Sequence, residues 1–161
     1  MKKLYLLRHA KASWNDDNVE DKDRIISYLG INEAKKVAAE IINKNIKFDK
    51  ILSSPAKRAY QTAEIIKNKT GFSGEIIFEE SFYFDYQKEI LRIIQDIDNK
   101  ADSVLLVGHN PTWSKLVSDF TDERVYLDTA NFAAMSADIN DWNEAVYGIF
   151  NLEYVISPKN L

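Results

Sequence analysis

Apolar residues fall along the chain in blocks of two kinds. Leu4–Leu7 is a short unbroken run near the start, FDKILSS (48–54) reads as a buried strand, and EIIFEE (75–80) looks like another. SVLLVG (103–108) is the most strand-like stretch, apolar with a polar residue at its head. The second kind recurs at helical spacing: Ile31, Ala34, Val37, Ala38, Ile41 and Ile42 make one stripe, Ile90, Leu91, Ile94 and Ile97 another, and Trp113, Leu116, Val117 and Phe120 a third. Ser54 and Pro55 supply an N-cap and a first-turn proline for a helix through about Lys69, and Asn110-Pro111 repeats the device. NFAAMSADI (131–139) and YGIFNLEYVI (147–156) suggest two late strands around a turn near Asn140–Asn143. Strand alternating with helix predicts an α/β protein with a largely parallel central sheet, and nothing marks a boundary inside residues 1–161.

Composition narrows the functional classes. The chain has 161 residues, enough for one ordinary core, and 45% of them are hydrophobic. A formal net charge of −4 offers no basic footprint for nucleic acid or an anionic membrane. There is no cysteine, which removes disulfides, thiolate–zinc sites and cysteine nucleophiles together. The first apolar run is too short for a signal-peptide core and no later run approaches a membrane span, so a cytoplasmic location is expected.

Three strand ends carry the candidate chemistry. In open α/β sheets, ligands sit beyond the carboxyl ends of the strands, where helix N-termini add partial positive charge. The first strand runs into Arg8-His9, the second through SSPAKR to Arg58, and SVLLVG into His109. Both histidines of the chain therefore stand at strand ends. Arginine binds phosphate in planar, bidentate fashion and keeps its charge. An imidazole nitrogen beside it can attack phosphorus and form a covalent intermediate. The arrangement predicts a pocket for a phosphoryl group that requires no divalent metal.

Other stretches add less. DDNVED (16–21) lacks the glycine and glutamate of a calcium loop and reads as a solvated loop. DKD (21–23) and DID (96–98) do not follow apolar strands and are discounted as metal-binding pairs. Tyr83 and Tyr86 read as packing residues, and Trp113, heading an apolar stripe, as core.

LLRHAKASW, SSPAKRAYQTAE (53–64) and VGHNP (107–111) together resemble the Arg-His, second-arginine and second-histidine segments of the histidine phosphatase (phosphoglycerate-mutase-like) superfamily. Ala10 stands where the usual glycine would be. RHAKASW, VEDKDRIISYLGINEA (19–34) and the ending DTANFAAMSADINDW…SPKNL are similar to the smaller SixA-type phosphohistidine phosphatases. The resemblance implies a three-layer sandwich forming a single domain over 1–161, with His9 as phosphorylated nucleophile and Arg8, Arg58 and His109 completing the phosphate pocket. It implies no cofactor and no metal. Lys11 and Ser13, in the loop leaving the first motif, and Thr129 are further candidates for contact with phosphate or substrate, and the loop from Lys11 to Asp23 is the expected rim.

Many superfamily members draw a general acid from the segment after the third strand. Glu80 and Asp85 in FEESFYFDYQKE (78–89) are the candidates here, without a clear motif around either. An alkoxide leaving group needs such an acid, worth about 10²–10⁴ in rate. Imidazole, whose conjugate acid has a pKa near 6.5, departs more easily and tolerates its absence. The expected substrate is a phosphorylated protein carrying phosphohistidine. A small phosphate ester, or a binding module without turnover, are the alternatives.

Overall fold

The computed structural model describes residues 1–14 and 18–161, so the acidic stretch 16–21 and the expected rim fall partly outside the described residues. Strands β1 (Lys2–Arg8), β2 (Lys50–Ser53), β3 (Ile76–Phe78), β4 (Ser103–Gly108), β5 (Phe132–Ala137) and β6 (Asn151–Ile156) form one sheet in the order β3-β2-β4-β1-β5-β6. The β3, β2, β4 and β1 neighbours are parallel, while β5 and β6 run antiparallel at one edge. The helices are α1 (Tyr28–Asn43), α2 (Lys57–Thr70), α3 (Gln87–Gln95) and α4 (Thr112–Thr121). Among the described residues no helix is long and apolar enough to cross a membrane.

The apolar runs of β1 and β4 are unbroken because both faces of the sheet are covered. Leu4, Leu6, Val104 and Leu106 pack with Ile90 and Ile94 of α3 and with Trp113, Leu116 and Phe120 of α4. Tyr5, Leu7, Leu105 and Val107, one residue out of step, pack on the opposite face with Val37 and Ile41 of α1 and Ala63 and Ile66 of α2. The result is a helix–sheet–helix sandwich, three layers as expected. Trp113 is fully buried in it, and its indole N–H donates to the Leu106 carbonyl at 3.2 Å.

Register sets the site. Arg8 lies opposite Gly108 and Ser53 opposite Val107, so three strands end at one level. Gly108 has no side chain for a physical reason: a Cβ there would come within 2.4 Å of the Trp113 ring. The helix starts differ from the sequence expectation. Helix α2 begins at Lys57, not at Pro55, because Ser54 continues the β2 pairing through its N–H to the Val107 carbonyl. Helix α4 likewise begins late, at Thr112 with Pro111 at the cap position. The Asn110 side-chain oxygen accepts from the Ser114 N–H at 3.1 Å and its amide donates to the Leu127 carbonyl at 2.7 Å, so it ties the helix start to a loop instead of capping it.

Candidate active site

His9 follows β1 directly, its N–H donating to the Gly108 carbonyl at 3.0 Å. The ring Nδ1 lies 2.7 Å from the carbonyl oxygen of Ala10. A carbonyl only accepts, so Nδ1 carries the proton and Nε2 is left with its lone pair. Burial lowers the His9 pKa to about 4, the Arg58, Arg8 and Arg24 charges push the same way, and the Ala10 carbonyl opposes them. The imidazole is therefore neutral near pH 7.

His109 stands beside it, the two ring centroids 5.1 Å apart. Its Nε2 is 2.7 Å from Ser54 Oγ, which also accepts the Ala56 N–H at 3.2 Å. Ser54 thus serves this site rather than a helix cap. Burial, then the His9 and Arg58 charges, lower the His109 pKa to about 2. Its Nδ1 is buried without a hydrogen-bond partner among the described residues, and so is Nε of Arg8. Buried polar groups of this kind are nearly always satisfied, so two together leave room for a polar ligand.

The guanidinium groups are held from outside the strand ends. Arg8 donates to the Leu127 carbonyl at 3.1 Å. Arg58, 8% exposed, donates to the backbone carbonyl of Asp21 at 2.7 Å and to its Oδ2 at 3.0 Å. Asp21 also accepts from Arg24 at 3.0 Å and from the Tyr83 hydroxyl at 2.8 Å. Burial alone would raise the Asp21 pKa, but the hydrogen bonds from Tyr83, Arg58 and Arg24 outweigh it and hold it at about 2. Arg24 in turn donates to the Ser13 carbonyl and stacks on Trp14, 3.6 Å from the ring centroid.

A cavity of about 430 Å³ lies at this edge, with Arg8, His9, Arg24 and Arg58 on its walls and Lys11 and Thr129 at its side. Glu33 orders that side: it accepts from the Lys11 N–H and the Thr129 hydroxyl, both at 2.9 Å. The structure thus brings together Arg8, His9, Arg58 and His109, with Lys11 and Thr129 adjoining; Ser13 contributes its backbone carbonyl to Arg24. It places Glu80 against Lys22 at 3.5 Å and Asp85 under the Thr112 hydroxyl, neither on the cavity wall. Among the described residues no group of three or more His, Asp or Glu side chains is placed to hold a metal ion.

Sequence reasoning passed over four residues here. Asp21 is not a solvated loop carboxylate, and Tyr83 is more than packing: it bonds Asp21 and sets its ring edge-on to His109, 5.8 Å between centroids. Arg24 and Glu33 both lie within the VEDKDRIISYLGINEA segment, which was the available signal.

Two neutral imidazoles among three guanidiniums, beyond the carboxyl ends of parallel strands, define a pocket for a phosphorylated group. Comparison with known proteins gives the family. The histidine phosphatase superfamily (branch 1) matches residues 4–83. An uncharacterized chloroplastic protein of Arabidopsis thaliana is 31% identical over 172 residues, covering 99% of this chain and 79% of that one. The SixA assigned as a phosphohistidine phosphatase in Agrobacterium tumefaciens superposes with a TM-score of 0.84 at 26% identity, covering 98% of each chain. The protein histidine phosphatase SixA solved with tungstate superposes at 0.80 with 18% identity, again over 98% of each. The chain belongs to the histidine phosphatase superfamily, and its fold is that of the SixA-type members. Membership supports phosphatase activity.

Proposed function

We propose that this phosphatase removes phosphate from phosphohistidine on a protein, through a phosphorylated His9. The observation that carries the reading is the His9 ring: Nδ1 is tied to the Ala10 carbonyl, so Nε2 keeps its lone pair beside Arg8 and Arg58. In the first step Nε2 attacks phosphorus and the P–N bond to the substrate imidazole breaks. The departing nitrogen regains its proton from solvent. In the second step water attacks the phosphorus on His9, inorganic phosphate leaves, and the imidazole is restored. Arg8, Arg58 and the free Nδ1 edge of His109 would bind the phosphoryl oxygens, where charge collects in the transition state. Lys11, Ser13 and Thr129 would border the incoming substrate.

The leaving group favours phosphohistidine over an ester. Imidazole departs without a strong acid, whereas an alkoxide needs one. Asp85 is held by the Thr112 hydroxyl, and Glu80 is exposed and paired with Lys22 at 3.5 Å, so neither is fixed toward a leaving group. The likeness to SixA proteins, one of them holding tungstate, supports the same choice.

The test is phosphate release from a purified phosphohistidine protein by wild type and His9→Ala, without added metal, with p-nitrophenyl phosphate in parallel. Fast release from phosphohistidine, slow release from the ester and at least a 10³-fold loss in the variant are expected, the size seen when an activated nucleophile is removed. Equal or faster ester turnover would point instead to a phosphatase of small esters. Phosphate binding without release from either substrate would make the chain a binding module.

A further inference from the structure

A second depression, of about 480 Å³, adjoins the phosphate cavity and shares Lys11, Glu33 and Lys159 with it. One wall is helix α1, where Leu29, Asn32, Glu33 and Lys36 fall on one face at helical spacing, with Lys35 beside them. The other is the short turn of Pro158–Asn160. Four lysines line it against one glutamate, on a chain whose formal net charge is −4.

Those charges are compensated only in part. Glu33, held by the Thr129 hydroxyl and the Lys11 N–H, offsets one, and Lys159 is paired with Asp128 at 2.9 Å. Lys11, Lys35 and Lys36 make no ion pair with any described residue. Between them Leu29 is 60% exposed, and Tyr28 next to it 80%. An exposed leucine bordered by ammonium groups that have no ion pair among the described residues, continuous with the phosphate pocket, is complementary to a polypeptide with acidic side chains.

We infer that this lysine-lined groove receives an acidic segment flanking the phosphohistidine of the substrate protein, and so selects among phosphohistidine proteins. The inference rests on the phosphohistidine reading above. From Leu29 to Lys36 the helix face extends about 10 Å. An extended peptide covers that distance in about three residues. The groove thus has room for about three residues of the segment next to the phosphorylated histidine.

The test uses two synthetic peptides phosphorylated on a single histidine with phosphoramidate. One carries aspartates two to four residues to either side, the other serines at the same places. Wild type is expected to show a KM about fivefold lower for the acidic peptide, since each exposed charge pair is worth a factor of about 1.5 to 5. The difference should shrink as salt is raised. The double variant Lys35→Gln/Lys36→Gln should lose the preference while keeping kcat on both peptides and KM on the neutral one, which also reports that it is folded. Equal KM values in wild type, or a preference that survives in the double variant, would overturn the groove and leave the phosphohistidine reading standing. Turnover of p-nitrophenyl phosphate but of neither peptide would overturn that reading, and the groove with it.

Discussion

At the scale of single residues, the site depends on keeping imidazoles uncharged among arginines. Burial does most of this for both His9 and His109, and the neighbouring guanidiniums add to it. Their pKa values lie below that of an unfolded-chain histidine, near 6.5. Stability from this source is thus fully present above about pH 6.5 and is lost as pH falls, down to about 4 for His9 and about 2 for His109, because the unfolded chain takes up the protons first. With only two histidines, the prediction is easily read. The ring C2 proton resonances of the free protein, assigned with His9→Ala, should stay at their neutral positions between pH 8 and 5. Midpoints near 6.5 would show that burial does not control the rings. Arg8, His9, Arg58 and His109 were legible in the sequence because each stands at or just beyond an apolar run. Asp21 was visible only within the VEDKDRIISYLGINEA resemblance, as the Asp of Asp-x-x-Arg; its role comes from Arg58, 37 positions away, and Tyr83, 62 away. No local pattern encodes such pairs.

At the scale of elements, the approach of α1 to the segment after β1 shapes one side of the pocket. Ser27 caps α1 through the Gly30 N–H, while its own N–H and hydroxyl both donate to the Lys11 carbonyl. Gly30 lets the helix come this close: a Cβ there would lie 2.2 Å from the Lys11 carbonyl oxygen. That atom is backbone and cannot swing aside. Gly30→Ala should therefore destabilise the protein by about 1–3 kcal/mol, the usual scale of overpacking. It should also lower kcat/KM, because Lys11 and the arginine-bearing loop shift together. Urea unfolding beside phosphohistidine turnover checks both, and wild-type values for each would refute the account. Helical periodicity predicted α1 and α4 well, and the strand runs were found where expected. The start of α2 was missed because Ser54 has two possible uses, and tertiary contact with His109 decides between them. The exposed edge strand β3 is shorter than EIIFEE suggested: Ile76–Phe78 pair with β2, the Glu79 N–H adds one bond to the Ser53 carbonyl, and the chain then turns into the short helical turn at Glu80–Phe82.

At the scale of the whole molecule, a chain of net charge −4 gathers three arginines at one sheet edge. Their mutual repulsion is relieved only in part by Asp21, Asp128 and Glu33, so an oxyanion should stabilise the fold as well as occupy the pocket. At 100 times its dissociation constant, tungstate or phosphate adds about 2.7 kcal/mol, or about 5–10 °C in Tm for a chain of this size. Thermal unfolding with and without the anion measures it, and Arg58→Ala should lose most of the shift. A full shift in that variant would take Arg58 out of the anion's reach. The grip of Asp21 on Arg58 has one more consequence. A guanidinium that already holds a carboxylate gains, on meeting phosphate, only the difference between two anions. Attraction is thereby tempered at both ends of a turnover. On the proposed mechanism, the departing phosphate would return the Arg58 N–H groups to a resident carboxylate, and the site would reset by exchanging one negative charge for another.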